Sequence, residues 1–182
     1  MKVVFTEAAE TLYQYIHGAN ENSSQLEMTS PILTSVNAAA AKYIVRLYLS
    51  PEIEDNAPRP LPDLNLQLDK WESRCIVVRK FSGFAEDDNT VEEAEHLLAS
   101  LTRSNSNSTN NTLILEDEYP YAISQYDSSS HLEGRVNEVW MNVLGYGGEC
   151  KLDDLVKEAK PANMMWVSRR TVENALNNIY IF

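Results

Sequence analysis

The chain has 182 residues, a length that fits one domain with a substantial buried core. Its formal net charge of −12 at pH 7 argues against a nucleic-acid partner and against docking on anionic lipid headgroups. No apolar run approaches the roughly 20 residues that a membrane-spanning helix needs, so membrane insertion is not expected either.

The first half of the sequence predicts a helix followed by two strands. Apolar residues recur at helical spacing over residues 6–17, and Gly18 follows them as a C-terminal stop. Residues 25–36 and 42–49 alternate between two faces, as strands do. Four prolines between positions 51 and 62 predict a linker, because proline has no amide hydrogen to offer a helix or a central strand.

The second half predicts the same pattern, with strands ahead of its helix as well. Thr90 and Glu93 have the spacing of a capping box, which predicts that the helix begins at Thr90. The apolar face of this helix is predicted to consist of Val91, Ala94, Leu97, Leu98 and Leu101. The alternation of side chains predicts strands over residues 64–69, 74–81, 119–126 and 135–144.

Each half therefore contains a helix followed by two antiparallel strands. The predicted fold is α+β, with two β-α-β-β repeats forming a curved, barrel-like antiparallel sheet against which two helices pack. A strand ahead of the first helix would complete the symmetry, and the sequence does not supply one there. The domain is expected to cover residues 1–148.

Residues 149–182 are expected to form a divergent C-terminal tail. Helical spacing is visible at residues 152–156 and again at Val172, Ala175, Leu176 and Ile179. Two interpretations remain open. Either the tail folds back over the gap ahead of the first helix, or it is disordered or loosely docked.

No pattern of catalytic residues occurs in the sequence. A nucleophile elbow, a Gly-rich phosphate loop and paired metal ligands are all missing. His17 falls in the last turn of the first helix, where capping of carbonyl groups is a simpler interpretation than a ligand role. His96 is expected on the solvent side of the second helix, and His131 in a polar loop. The sequence thus favours a binding protein over an enzyme.

Four short segments resemble the SOUL family of haem-binding proteins, and plant members above all. The segments read YIHGAN with LEMTSPI, VRKFSGF, YAISQY and GRVNEVW, starting at residues 15, 26, 78, 121 and 134. They occur in the family's order. The resemblance implies a soluble tetrapyrrole-binding module, and it implies that a strand-rich opening segment of the family domain is missing from this chain.

The resemblance further implies haem, bound in a shallow hydrophobic groove beside the first helix with weak or no coordination of the iron. Leu12 and Ile16 would offer the apolar surface, Arg46 or Arg79 a cation for the propionates, and His17 or Met28 an axial atom. His17 is the weak candidate for a metal ligand. Core packing is the favoured interpretation of Leu12, Ile16 and Met28, and a cross-strand glutamate would explain Arg46 equally well.

The expected function is that of a tetrapyrrole carrier or buffer. Two alternatives remain at this point: an enzyme acting on a hydrophobic small molecule in the same groove, and an interaction module that binds no ligand. The N-terminus as given has no apolar segment of a signal peptide, which favours the cytoplasm. A signal lost together with the missing segment would instead favour the secretory pathway.

Overall fold

The computed structural model describes residues 7–37, 39, 42–71, 75–106, 119–128, 130–143 and 164–172. The described part of the chain contains two helices, α1 (Glu7–Ile16) and α2 (Asp87–Ser106). Its strands are β1 (Ile32–Asn37), β2 (Lys42–Tyr48), β3 (Gln67–Trp71), β4 (Cys75–Ser82), β5 (Tyr121–Gln125), β6 (Val136–Val143) and β7 (Met164–Val172).

These strands form one antiparallel sheet in the order β3-β7-β2-β1-β5-β6-β4. The central pair, β1 and β5, joins the two halves of the sequence. The sheet is curved but does not close, so β3 and β4 form its two edges among the described residues. The predicted α+β fold, with two helices and a curved antiparallel sheet, is therefore confirmed.

Both helices pack on one face of the sheet, and each has its own hydrophobic core. Buried residues of α1 meet the odd-numbered positions of β2, and buried residues of α2 meet β4, β5 and β6. The α1 core contains Ala8, Leu12, Tyr15, Ile16, Val45, Leu47 and Leu49. The α2 core contains Ala94, Leu97, Leu101, Val77, Ile123, Val139 and Met141. A third, smaller cluster lies on the opposite face of the sheet, because successive residues of a strand point to opposite faces. It consists of Leu33, Ala122 and Trp140.

The prediction that α2 begins with Thr90 as N-cap is wrong. The helix begins at Asp87, and the amide of Thr90 already donates to Glu86 O at 2.9 Å. Asn89 holds the preceding turn, because its Oδ1 accepts the amide hydrogen of Glu86 and its Nδ2 donates to Phe84 O. Glu93 pairs with Arg79 of β4 instead of closing a capping box.

Two strands also begin later than predicted. β1 begins at Ile32 rather than at residue 25, because Pro31 has no amide hydrogen with which to continue a ladder. β3 spans Gln67–Trp71 rather than residues 64–69, since Pro62–Leu64 form a short 3₁₀ turn and Asn65 adopts a left-handed conformation with φ of 50°.

The C-terminal tail contributes β7 to the interior of the sheet, between β3 and β2. Val172, which the sequence pattern placed in a helix, is the last residue of this strand. The helical pattern predicted at 152–156, like the rest of the one that starts at Val172, lies outside the described residues. The division of the chain at residue 148 stays a prediction.

Candidate functional site

The turn that ends α1 is organised by the buried side chain of Asn20. Its Nδ2 donates to Tyr15 O at 3.0 Å and to Ser24 O at 2.7 Å, while its Oδ1 accepts the amide hydrogens of Asn22 and Ser24. Gly18 adopts a φ of +106°, the left-handed conformation that commonly terminates a helix. The segment that carries the family resemblance here therefore builds a fixed helix end.

Tyr15 ties the proline-rich linker to this helix end. Its hydroxyl donates to Pro58 O at 2.8 Å, and its ring is fully buried in the α1 core. Two backbone hydrogen bonds continue the contact, from Glu21 N to Arg59 O and from Leu61 N to Ala19 O. The linker thus lies along the C-terminal end of α1.

Burial raises the pKa of Tyr15 from 10.0 to about 12, and it raises the pKa of Tyr121 to about 12 together with the nearby Tyr43 and Asp87. Because the unfolded chain would ionise these tyrosines near pH 10, stability that is present below pH 10 should be lost as the pH rises towards 12. We expect the midpoint of urea unfolding to fall steeply across this interval.

The measurement is a series of urea unfolding curves across that pH range. Tyr15→Phe should lower stability at neutral pH by about 1 kcal/mol, the usual value of one hydrogen bond, but should make the alkaline decline shallower. The exposed Tyr13 supplies the matched control, Tyr13→Phe. An alkaline decline of equal slope in Tyr15→Phe and wild type would contradict the assignment.

His17 lies at the exposed end of α1 with its ring orientation fixed. Its Nδ1 is 2.9 Å from Tyr13 O. Because a carbonyl oxygen only accepts, this bond requires the hydrogen on Nδ1 and leaves the lone pair on Nε2. The ring of Tyr13 stacks on the imidazole, with 3.8 Å between ring centroids. A backbone acceptor on one nitrogen is the arrangement that orients histidine ligands in metal sites.

Three exposed apolar side chains lie in α1 or in segments whose backbone is bonded to the region just after it. Tyr13 is 57% exposed, Met28 58% and Leu61 41%. Leu61 is hydrogen-bonded through its amide to Ala19 O, and Met28 follows three residues after Gln25, whose backbone forms a bridge with His17. We call Tyr13, His17, Met28 and Leu61 the α1 patch.

The sequence pattern indicated His17 and Met28 of this patch but not Tyr13 or Leu61, and it did not indicate the exposed Arg59 on the linker. An aromatic residue four positions before His17 on a predicted helix was a usable signal for Tyr13, because residues i and i+4 are neighbours on a helix. No local signal could have found Leu61 or Arg59, which reach α1 through the linker.

The other three predicted site residues lie elsewhere. Leu12 and Ile16 are buried in the α1 core. Arg46 points to the opposite face of β2, where its Nη1 donates to Ser35 Oγ at 2.7 Å and its Nε lies 3.4 Å from Asp69 Oδ2. Of the five predicted site residues, only His17 and Met28 are exposed, and the roles assigned to all five stay predictions.

The segment GRVNEVW builds a second fixed turn, at the start of β6. The guanidinium of Arg135 is buried, donates to three backbone carbonyl groups of the loop between β5 and β6, and lies 4.5 Å from the ring centroid of Phe84. Asn137 Nδ2 donates to Gly83 O at 2.8 Å. These residues join the β4–α2 connection to the β5–β6 loop, which is a scaffolding role.

Glu138 of the same segment is a buried carboxylate on the face of the sheet opposite the helices. Its Oε2 accepts hydrogen bonds from Tyr126 Oη at 2.8 Å and Trp140 Nε1 at 2.7 Å. Lys80 Nζ lies 3.9 Å from its Oε1. With its oxygens engaged in this way, Glu138 is a structural acceptor.

Neither a metal cluster nor a membrane span emerges from the described residues. They contain no group of three or more His, Cys, Asp and Glu side chains that could hold a metal ion. None of the helices in the described part of the chain is long and apolar enough to cross a membrane.

Comparison with known proteins matches residues 2–142 to the family described as "SOUL heme-binding protein". "Heme-binding protein 2" of Homo sapiens is 28% identical over 135 residues, which are 71% of this chain and 62% of that protein. The mouse protein of the same name is 25% identical over 132 residues, 70% of this chain and 60% of its own length. The chain thus spans less than two thirds of the length of these relatives.

Proposed function

This chain belongs to the SOUL heme-binding protein family, and from that premise we propose that it binds haem at the α1 patch and acts as a tetrapyrrole carrier or buffer. The observation that carries the proposal is His17, exposed and held by Tyr13 O so that Nε2 is the nitrogen with a free lone pair. A binding role is favoured over a catalytic one because both relatives are named as heme-binding proteins.

The surroundings of His17 fit the chemistry of haem. The macrocycle is an apolar plate, and exposed Tyr13, Met28 and Leu61 offer it apolar surface. Arg59 is an exposed cation on the linker, whose backbone carbonyl accepts from Glu21 N in the segment that follows α1. In a protein of net charge −12, such a cation is the natural partner for the propionates.

Leu12, Ile16 and Arg46 enter the proposal in supporting roles. Leu12 and Ile16 anchor the helix under the patch, because direct contact with a ligand would require α1 to lift from β2. Arg46 is engaged with Asp69 and Ser35 on the other face of the sheet. It holds the sheet together there, and we assign the propionates to Arg59 instead.

Titration with hemin, followed in the Soret band, tests the proposal. We expect a saturable change at a 1:1 ratio. His17→Ala should shift the band and lower the affinity by less than about tenfold, or about 1.4 kcal/mol, because apolar contact supplies most of the binding. His96→Ala, on the exposed side of α2, is the matched control and should leave both unchanged.

Three outcomes distinguish the possibilities. A folded wild-type protein with no saturable Soret change would contradict haem binding and favour an interaction module. A spectrum unaffected by His17→Ala would move the haem away from the α1 patch. A loss of affinity beyond tenfold, with folding intact, would show that ligation by His17 dominates rather than assists the binding.

A further inference from the structure

The two halves of the sheet have equivalent strand pairings and registers. Thr34 of β1 pairs with Ile123 of β5 at the centre. On one side Thr34 pairs with Val45 of β2, and on the other Ile123 pairs with Val139 of β6. If β1 is exchanged for β5 and β2 for β6, each residue pair named here is replaced by an equivalent pair.

The same exchange relates β7 to β4. Val45 pairs with Arg169 of β7, and Val139 pairs with Arg79 of β4, both in antiparallel ladders. Arg169 and Arg79 thus occupy equivalent register positions, although the first comes near the end of the chain and the second near its middle. β7 therefore holds, beside β2, the position that β4 holds beside β6.

The helices follow the same relation. α2 begins four residues after β4 and lies against β4 and β6. α1 lies against β7 and β2. Each helix therefore rests on the equivalent pair of strands, but α1 receives one of its two strands from the far end of the sequence.

We infer that β7 completes the first β-α-β-β unit, and that the C-terminal segment thereby positions α1 and its patch. α1 has only 10 residues, and isolated helices shorter than about 12 residues are marginal in water. Its stability must come from the strands beneath it. The second clause of this inference rests on the proposed haem function, whereas the first does not.

A disulfide tests the place of β7 without any ligand. In the full chain with Cys75→Ser and Cys150→Ser, Lys42→Cys and Val172→Cys stand at directly paired positions and should bridge readily under mild oxidation. Lys42→Cys with Met165→Cys is the matched control, since Met165 lies seven residues, or roughly 23 Å, further along β7. Equal bridging in the two proteins, measured by mass spectrometry, would overturn the inference.

A proline in β7 tests its control of α1. Val167 is paired on both sides, with Leu47 of β2 and Leu68 of β3, so Val167→Pro should break the ladder. We expect amide hydrogen exchange to accelerate at least tenfold in α1 but not in α2, and hemin affinity to fall at least tenfold. Equal acceleration in both helices would overturn the positioning role.

The two proposals can fail separately. If wild-type protein binds no hemin, but Val167→Pro still accelerates amide exchange in α1 alone, the haem function is refuted and the role of β7 is supported. Haem binding unaffected by Val167→Pro while α1 loses protection would refute the coupling between β7 and the patch. Should Val167→Pro not fold, the milder Val167→Gly, which weakens a strand but keeps the amide hydrogen, replaces it in both measurements, and the double-cysteine pair decides the position of β7.

Discussion

Replacement of Leu97 by aspartate should destabilise the protein by at least about 3 kcal/mol, whereas the same change at the adjacent Leu98 should cost less than about 1 kcal/mol. Leu97 is 7% exposed in the α2 core, and Leu98 is 42% exposed. Loss of a buried leucine costs about 2–5 kcal/mol by itself, and the buried charge adds to it. Urea unfolding at neutral pH measures both variants.

This pair of substitutions fixes the rotation of α2 about its axis. The sequence pattern assigned both leucines to the buried face, together with Val91, and that prediction is wrong for Leu98 and Val91, which are each 42% exposed. Leu98→Ala is a further control for loss of side-chain volume without charge. Similar losses of stability for Leu97→Asp and Leu98→Asp would contradict the orientation of α2.

Arg135→Ala should lower the free energy of unfolding by about 3 kcal/mol. The substitution removes the buried guanidinium that donates to the carbonyl groups of Asp127, Ser128 and His131. Ser128 O keeps the amide hydrogen of His131, whereas Asp127 O and His131 O lose this donor, and a polar group left without a partner costs about 1–3 kcal/mol. It also removes the cation from the face of the Phe84 ring. Thermal and urea unfolding give the magnitude.

Two further variants identify the cause of that loss. His131→Ala keeps the backbone carbonyl and should cost less than about 1 kcal/mol. Arg135→Lys retains the charge but not the planar fork, and should recover only part of the stability. If Arg135→Ala lowered the free energy of unfolding no more than His131→Ala, water would be donating to the loop carbonyl groups as effectively as the guanidinium does, and the assigned role of Arg135 would be wrong.

The repeat of a helix followed by two strands was readable from the sequence because side-chain periodicity is a local property. The 3.6-residue spacing identified α1 and the middle of α2. Two-residue alternation identified β2 and β4 with bounds correct to within one or two residues. The short motifs around Asn20 and Arg135 indicated the family for a related reason: each encodes a turn whose hydrogen bonds are made largely between nearby residues.

The candidate site was less accessible, because its members converge through contacts between distant segments. The sequence offered Arg46 either as a cation for the propionates or as the partner of a cross-strand glutamate. Its carboxylate is Asp69 of β3, on the far side of β7. Leu61 and Arg59 reach α1 because the linker folds back onto it. Capping of carbonyl groups by His17 was expected from its place in the last turn, and its Nδ1 lies 2.9 Å from Tyr13 O. The choice of that carbonyl depends on the rotamer of the ring, which the sequence does not specify.

By itself, then, the sequence determined the α+β class, the order of α1 to β6 and the family, since propensity, periodicity and turn chemistry act over a few residues. Only the tertiary structure decided the rotation of α2 and the place of β7. The segment that contains β7 carried a helical pattern at its end, and a strand in its position is stabilised by hydrogen bonds to β2 and β3. Those partners lie about a hundred residues or more away in the chain, where no local pattern can register them.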